Sequence, residues 1–557
     1  MSNQAKESAT PYKLPLQQFC ANVAAHPDKP YLHQPENRVW RTLTWGQVDD
    51  QARRIATGLL ANGLAKGDRV AILAKNSAEW FIVDVAIMMA GMISVPIYAT
   101  AGESTIRHVL AHSGAKALFV GKLDSTEAAE AAVGDELLTI AFPYPTATSK
   151  EQWNDWLKRY EPLQELPEPQ PDDVFTLVYT SGSTGLPKGV VLTQDNVASA
   201  SYSAQSLLKD GGELRTISYL PLAHITERCV VELPSLYRPG DIFFTESLAT
   251  FVEDLKHAKP TLFVSVPRLW AKFQAQVLSQ IPDEQLQSML KDPATSEMVK
   301  SQIRKGLGFE HAQTFGSGSA PISPSILEWF ARLGIEISEG WGMTETSGLS
   351  CGNNPITLER LGTIGVPVQC VEMKLSDEGE VLIRGPAVFK EYYNNPEATA
   401  ESFVDGWFRT GDRAEIRADG AWKIIGRVKE QFKTAKGKYV APVPIESLFG
   451  TNPDVEQVCV LGSGRKQPLA VVVLSEAIKS RSSEVKDRLQ ASLDEINRQL
   501  ESHQRLDSVI VAHTPWSIEN ELLTPTMKLK RDRIENRYRQ YLETNLPGSV
   551  VWEEELT

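Results

Sequence analysis

Nine residues carry the clearest chemistry in the chain: Thr180-Ser-Gly-Ser-Thr-Gly-Leu-Pro-Lys188. Gly182 and Gly185 let the backbone approach a ligand closely and take up positive φ without penalty. Successive N–H groups in such a turn form a concave anion nest, and Thr180, Ser181, Ser183 and Thr184 add hydroxyl donors. Lys188 adds a point charge, so the stretch suits a phosphate chain. It is not a Walker loop, because Lys188 follows Pro187 and precedes Gly189 where that motif needs Gly before and Ser or Thr after. Phe175–Tyr179 precedes the turn and Val190–Leu192 follows it, both rich in β-branched and aromatic residues, so the loop is predicted to link two buried strands.

The wording from Val178 to Leu192 resembles the phosphate loop of the adenylate-forming superfamily, which includes acyl- and aryl-CoA synthetases, peptide-synthetase adenylation domains and luciferases. Later motifs fall in that family's order. Ser338-Glu-Gly-Trp-Gly-Met-Thr-Glu-Thr346 holds an aromatic face for adenine in Trp341, a donor for the α-phosphate in Thr344 and an acid for Mg²⁺ in Glu345. One carboxylate is enough, since Mg²⁺ prefers few of them alongside phosphate oxygens. Most relatives carry Tyr where Trp341 stands, so a tyrosine hydroxyl's hydrogen bond is expected to be missing. The resemblance assigns the nucleotide to Thr180, Ser181, Gly182, Ser183, Thr184, Gly185 and Lys188. To these it adds the turn Gly318, Ser319, Ala320 and Pro321, and the run Glu339, Gly340, Trp341, Gly342 and Met343. Asp412 and Arg427 would hold the ribose, Thr180 and Glu345 the metal, and His224 would lie beside the substrate carboxylate.

The resemblance makes Lys429 a hinge, and Lys436, Gly437 and Lys438 a CoA-side loop. Lys528 is the expected catalytic lysine, chosen over Lys530 by spacing. The family usually has Gly before that lysine, whereas Met527 stands here. Some relatives carry an aromatic gate to the acyl tunnel shortly after the histidine. This chain has Glu227-Arg228 there, so no gate is carried over.

These residues need a scaffold. At 557 residues the chain exceeds one compact core. Apolar strand segments alternate with amphipathic helices over 11–120: a helix to Asn62, strands at Arg69–Leu73, Ile93–Ile97 and Ala117–Val120, and helices at 76–90 and 104–113. That alternation predicts an α/β fold with a mainly parallel sheet. Residues 121–170 read as a polar surface connection, and Asp292 as the cap of a helix over 293–305. The expected architecture is a large N-terminal domain of mixed and parallel sheets covered by helices (1–427), with a small mobile α/β domain (428–557).

A net charge of −13 argues against nucleic acid as an electrostatic partner. Five scattered cysteines without a CxxC pair argue against a zinc ribbon or a disulfide framework. The first eight residues lack a signal-peptide h-region, which gives a cytoplasmic expectation. A small apolar patch could still make a peripheral membrane contact.

The expected activity is ATP-dependent conversion of a long- or medium-chain fatty acid to acyl-AMP and then acyl-CoA, using ATP, Mg²⁺ and CoA. Phe432-Lys-Thr-Ala-Lys-Gly-Lys-Tyr-Val-Ala-Pro442 resembles long-chain acyl-CoA synthetases more than acetyl- or aryl-type members. No carrier-type Gly-[Asp/His]-Ser site follows before Thr557, an expectation of a free-standing enzyme. An acyl-AMP ligase serving a carrier protein or another nucleophile, a non-catalytic nucleotide-binding regulator and a luciferase-like oxygenase remain open alternatives.

Overall fold

The computed structural model describes residues 11–145, 149–180, 186–208, 213–354, 356–476, 478, 480–518, 520–524, 527–542, 544 and 546–556. Ser181, Gly182, Ser183, Thr184 and Gly185 of the expected phosphate loop lie outside them. The flanking strands are present as Val174–Thr180 and Lys188–Thr193, and they pair antiparallel from Val174↔Thr193 to Thr180↔Lys188.

This hairpin belongs to an eight-stranded sheet. Its centre is parallel, with Arg69–Ala74 between Ile93–Ile97 and Ala117–Gly121. All three strands are almost wholly buried, which explains their unbroken apolar runs. Helix Trp45–Ala61 starts at a capping box between Thr44 and Gln47 and ends before Gly63, whose φ is +84°.

A second sheet places Leu262–Ser265, Thr314–Ser317 and Ile337–Trp341 side by side in parallel, then Cys351–Gly352 and Val366–Pro367 antiparallel. A third carries Glu380–Arg384 and Trp407–Ile416, with Trp422–Arg427 paired to the latter. The C-terminal unit has its own four-stranded sheet with separate apolar clusters on its two faces. Among the described residues no helix is long and apolar enough to cross a membrane.

Three local expectations are corrected. Residues 121–170 contain the strand Leu138–Ala141, which extends the large sheet, and the helix Trp153–Arg159. Trp153 and Trp156 are fully buried, and the Trp156 ring fills the space a Cβ on Gly58 would need. Two tryptophans in a polar stretch gave too little periodicity to reveal that burial. The helix expected over 293–305 is Ser296–Gly306. Asp292 shapes the turn ahead of it, accepting from the Ala294 N–H through its carboxylate and from the Ser296 N–H through its carbonyl. In the small domain Val550–Trp552 adds a fourth strand that was not foreseen.

Candidate active site

A cleft of about 3180 Å³ runs between the two domains, and most of the described site residues line it. Lys188, at the start of the outgoing strand, holds its ammonium 5.1 Å from the centre of the Tyr392 ring. Tyr392 pairs with Val190 in the same sheet, and its hydroxyl donates to a Glu345 carboxylate oxygen at 2.8 Å. The Glu345 carbonyl accepts from the Phe389 N–H at 2.7 Å. Glu345 is therefore fixed through both main chain and side chain beside the strand Lys188–Thr193. The sequence did not reveal Tyr392 as its partner, because no local spacing joins position 392 to 345.

The strand Ile337–Trp341 leads into the turn that carries Thr344. Gly342 is required there, since a Cβ would lie 1.6 Å from the Gly348 carbonyl oxygen. Glu339 accepts from the Gly362 N–H at 3.1 Å, and burial pushes its carboxyl up to about 8. The Gly318–Pro321 turn is tied to the histidine segment by a 2.9 Å hydrogen bond between the Ser319 and Thr226 hydroxyls. Ser319 itself has φ +67°.

His224 caps the short helix Ile225–Glu227, its Nδ1 accepting from the Thr226 N–H at 3.2 Å. The ring proton consequently sits on Nε2. Burial, reinforced by the Lys528 charge, pulls the imidazole down to about 3, so His224 is a neutral donor at physiological pH. Glu227 and Arg228 are core residues. The Glu227 carboxyl accepts from the Tyr219 N–H at 3.0 Å and from the Asn76 amide at 3.4 Å, closing the 219–227 segment around His224.

Asp412 faces Arg427 across paired strands. One carboxylate oxygen meets the Arg427 Nε at 2.8 Å, and the other accepts from the Trp341 indole N–H at 3.0 Å. The hydrogen bond expected to be lost with tyrosine is thus replaced by one to the carboxylate itself. Burial raises the Asp412 carboxyl above its ordinary range even though Arg427 opposes the shift.

Lys528 completes the group from the small domain. Burial and the Arg427 charge lower its ammonium, while Asp412 and Glu345 hold it up. The Thr524 N–H donates to the Lys528 carbonyl at 2.8 Å, and the Lys528 N–H to the Thr524 hydroxyl at 3.1 Å. Met527 between them has φ +61°, the backbone region where glycine is favoured. Lys530 lies on the cleft wall, its N–H donating to the Leu522 carbonyl at 2.9 Å. Lys429 is exposed at the edge of the cleft. The hairpin with Lys436, Gly437 and Lys438 is exposed and stands outside the cleft wall in this arrangement.

The fold and the sequence have parallels among known proteins. The adenylation domain of a carboxylate reductase from Mycobacterium chelonae superposes with a TM-score of 0.81 at 25% identity, covering 96% of this chain and 91% of that one. Fatty acyl-CoA synthetase A of Dictyostelium discoideum is 32% identical over 91% of this chain and 86% of its own length. The long-chain-fatty-acid–CoA ligase FadD15 of Mycobacterium bovis is 30% identical over 91% and 92%. Residues 19–393 match the pattern of the AMP-binding enzymes, and residues 429–545 that of the AMP-binding enzyme C-terminal domain. The sequence motifs, the α/β fold and these likenesses agree, and the chain belongs to the AMP-binding enzymes, the adenylate-forming superfamily, as a relative of long-chain acyl-CoA synthetases.

Proposed function

We propose that the protein activates a long- or medium-chain fatty acid to its CoA thioester in two steps. A carboxylate oxygen of the acid attacks the α-phosphorus of ATP, and pyrophosphate leaves. The sulfur of CoA then attacks the acyl carbonyl carbon of the adenylate, and AMP leaves. The observation that carries this reading is Lys528 of the small domain reaching the same cleft as Asp412, Glu345 and His224 of the large one.

Each residue has a role that its surroundings support. Lys528 neutralises charge that develops on the α-phosphate and carboxylate oxygens. Asp412 has lone pairs left for two ribose hydroxyls after its bonds to Trp341 and Arg427. The indole face of Trp341 stacks on adenine, and Nε2–H of His224 donates to the substrate carboxylate. Lys188 and the loop before it take the β- and γ-phosphates.

The donor set of one oriented carboxylate and one hydroxyl fits a metal that brings phosphate oxygens with it. Glu345 and Thr180 would hold Mg²⁺, which neutralises phosphate charge when bound. The same reading puts the domain boundary after Arg427 and the hinge at Lys429. A turn there would bring Lys436, Gly437 and Lys438 towards the entering CoA.

The deciding experiment is CoA-dependent AMP release over acids from acetate to stearate. A maximum at medium or long chains is the expected result. Pyrophosphate release with no acyl-CoA formed when CoA is supplied would replace the reading with an acyl-AMP ligase. Silence with every acid would end the fatty-acid assignment.

A further inference from the structure

The two domains also meet through an ion pair on the wall of the same cleft. Arg268 is the second residue of helix Pro267–Leu278 in the large domain, and its guanidinium donates to the carboxylate of Glu456 in the small domain. Glu456 lies in the strand Val455–Leu461, where Val455 pairs with Leu474 of the neighbouring strand. That pairing brings Glu476 to the same end of the sheet, and its charge also acts on Arg268. Asp454, the next acid along, is already taken by Arg488 of the small domain at 2.6 Å. Among the described residues the Arg268 guanidinium has no hydrogen-bond partner in its own domain.

A rotation about position 429 that withdraws Lys528 from the cleft must also separate Arg268 from Glu456. The pair therefore contributes only to the arrangement seen here. We propose that Arg268 is a positioning residue for adenylation: it clasps the Glu456–Glu476 end of the small domain and so holds Lys528 against the α-phosphate site, without touching substrate itself. This rests on the two-step reading above.

The test separates the half-reactions. Arg268→Glu turns an attraction into a repulsion and is expected to lower fatty-acid-dependent pyrophosphate exchange about tenfold, given the strength of partly exposed ion pairs. Thioester formation from CoA and a chemically prepared acyl-adenylate is expected to stay within about twofold of wild type, because that step does not use this clasp. The double variant Arg268→Glu/Glu456→Arg is expected to recover most of the exchange. Unchanged exchange in the single variant, an equal fall in both half-reactions, or a double variant no better than the single one would each overturn the proposal.

A second readout does not need turnover. Trypsin is expected to cut after the exposed Lys429 faster in Arg268→Glu than in wild type, and equal rates would overturn the clasp. If wild type exchanges pyrophosphate with no fatty acid, the proposed function falls, while the cleavage rates still decide the clasp.

Discussion

Two charge clusters differ in their surroundings: one is shut in the core, and the other lines the cleft. The first surrounds Arg228, which is fully buried. Its Nη2 donates to Asp84 at 2.6 Å, its Nε to Glu232 at 2.8 Å and its Nη1 to the Thr176 hydroxyl at 2.9 Å. The Trp80 and Phe175 rings lie over it. The second comprises Asp412, Arg427, Glu345 and Lys528, lines the cleft and is assembled from two domains. Both pair an arginine with carboxylates, but Arg228 is buried and Arg427 is exposed. In the first, each arginine nitrogen already has a protein partner. In the second, a lysine is held among carboxylates beside open space. Burial of charge alone thus does not mark a site. Capacity directed at a cavity does.

Truncation should separate the two clusters. Arg228→Ala leaves Asp84 and Glu232 buried without their counter-ion, and the expected loss is about 3–5 kcal/mol of folding stability. It is checked by denaturant unfolding, and a loss below about 1 kcal/mol would show that the cluster is not structural. Lys528→Ala should do the opposite. Adenylation is expected to fall about a hundred- to a thousandfold, the cost typical of removing one donor to developing charge. The unfolding midpoint is expected to stay near wild type, since the Lys528 side chain is exposed on the cleft wall. Full activity in Lys528→Ala with loss in Lys530→Ala would move the catalytic role by two residues.

The contrast also marks what the sequence could and could not convey. The two strands flanking 181–185 were legible, and so was the meeting of Trp341, Glu345 and Asp412 at one cleft. So were the buried parallel strands, whose apolar runs are continuous. Partnerships formed by distant strand pairing were not. Tyr392 orients Glu345 only because it pairs beside Val190, and Trp341 reaches Asp412 only because separate sheets abut. Glu227-Arg228 could be seen as a departure from the gate pattern. Its role in the core depends on Asp84 and Thr176, which lie 144 and 52 residues from Arg228. Trp153 and Trp156 were missed for the related reason that their burial depends on distant partners, Phe142 for Trp153 and Gly58 of another helix for Trp156.

Smaller effects sharpen the same division. Trp341→Phe keeps a stacking face and removes the N–H bound to Asp412. The expected cost is about 1 kcal/mol, read as a roughly fivefold higher KM for ATP with little change in stability. An unchanged KM would mean that the indole bond does not help orient the ribose carboxylate.

Glu227 offers a test by pH. Burial pushes its carboxyl up to about 8, so the fold keeps a proton that the unfolded chain, with an ordinary carboxyl, has already released. The folded state then binds more protons than the unfolded state, and stability falls as pH rises towards 8. Glu232 and Glu339 are shifted in the same direction by burial. His224 acts oppositely, but only where the unfolded imidazole takes up a proton, below about 6.5. Between pH 7 and 8, Glu227→Gln is therefore expected to reduce the loss of stability by up to about 1 kcal/mol. Parallel wild-type and variant stability curves over that interval would show that Glu227 is ionised in the fold.

The smallest expected change lies beside Lys528. Met527 adopts φ +61°, and its half-exposed side chain lies on the cleft wall. Replacing it with glycine removes a steric cost of about 1–2 kcal/mol for a left-handed residue. It also gives the unfolded chain more freedom, which costs about 0.4–1 kcal/mol. The two nearly cancel, so Met527→Gly is expected to move stability by less than about 1 kcal/mol and to leave adenylation intact, because the backbone bonds between Thr524 and Lys528 do not involve the side chain. A clear drop in adenylation without loss of stability would assign the thioether itself to the cleft, and position 527 would then contribute a contact as well as a turn.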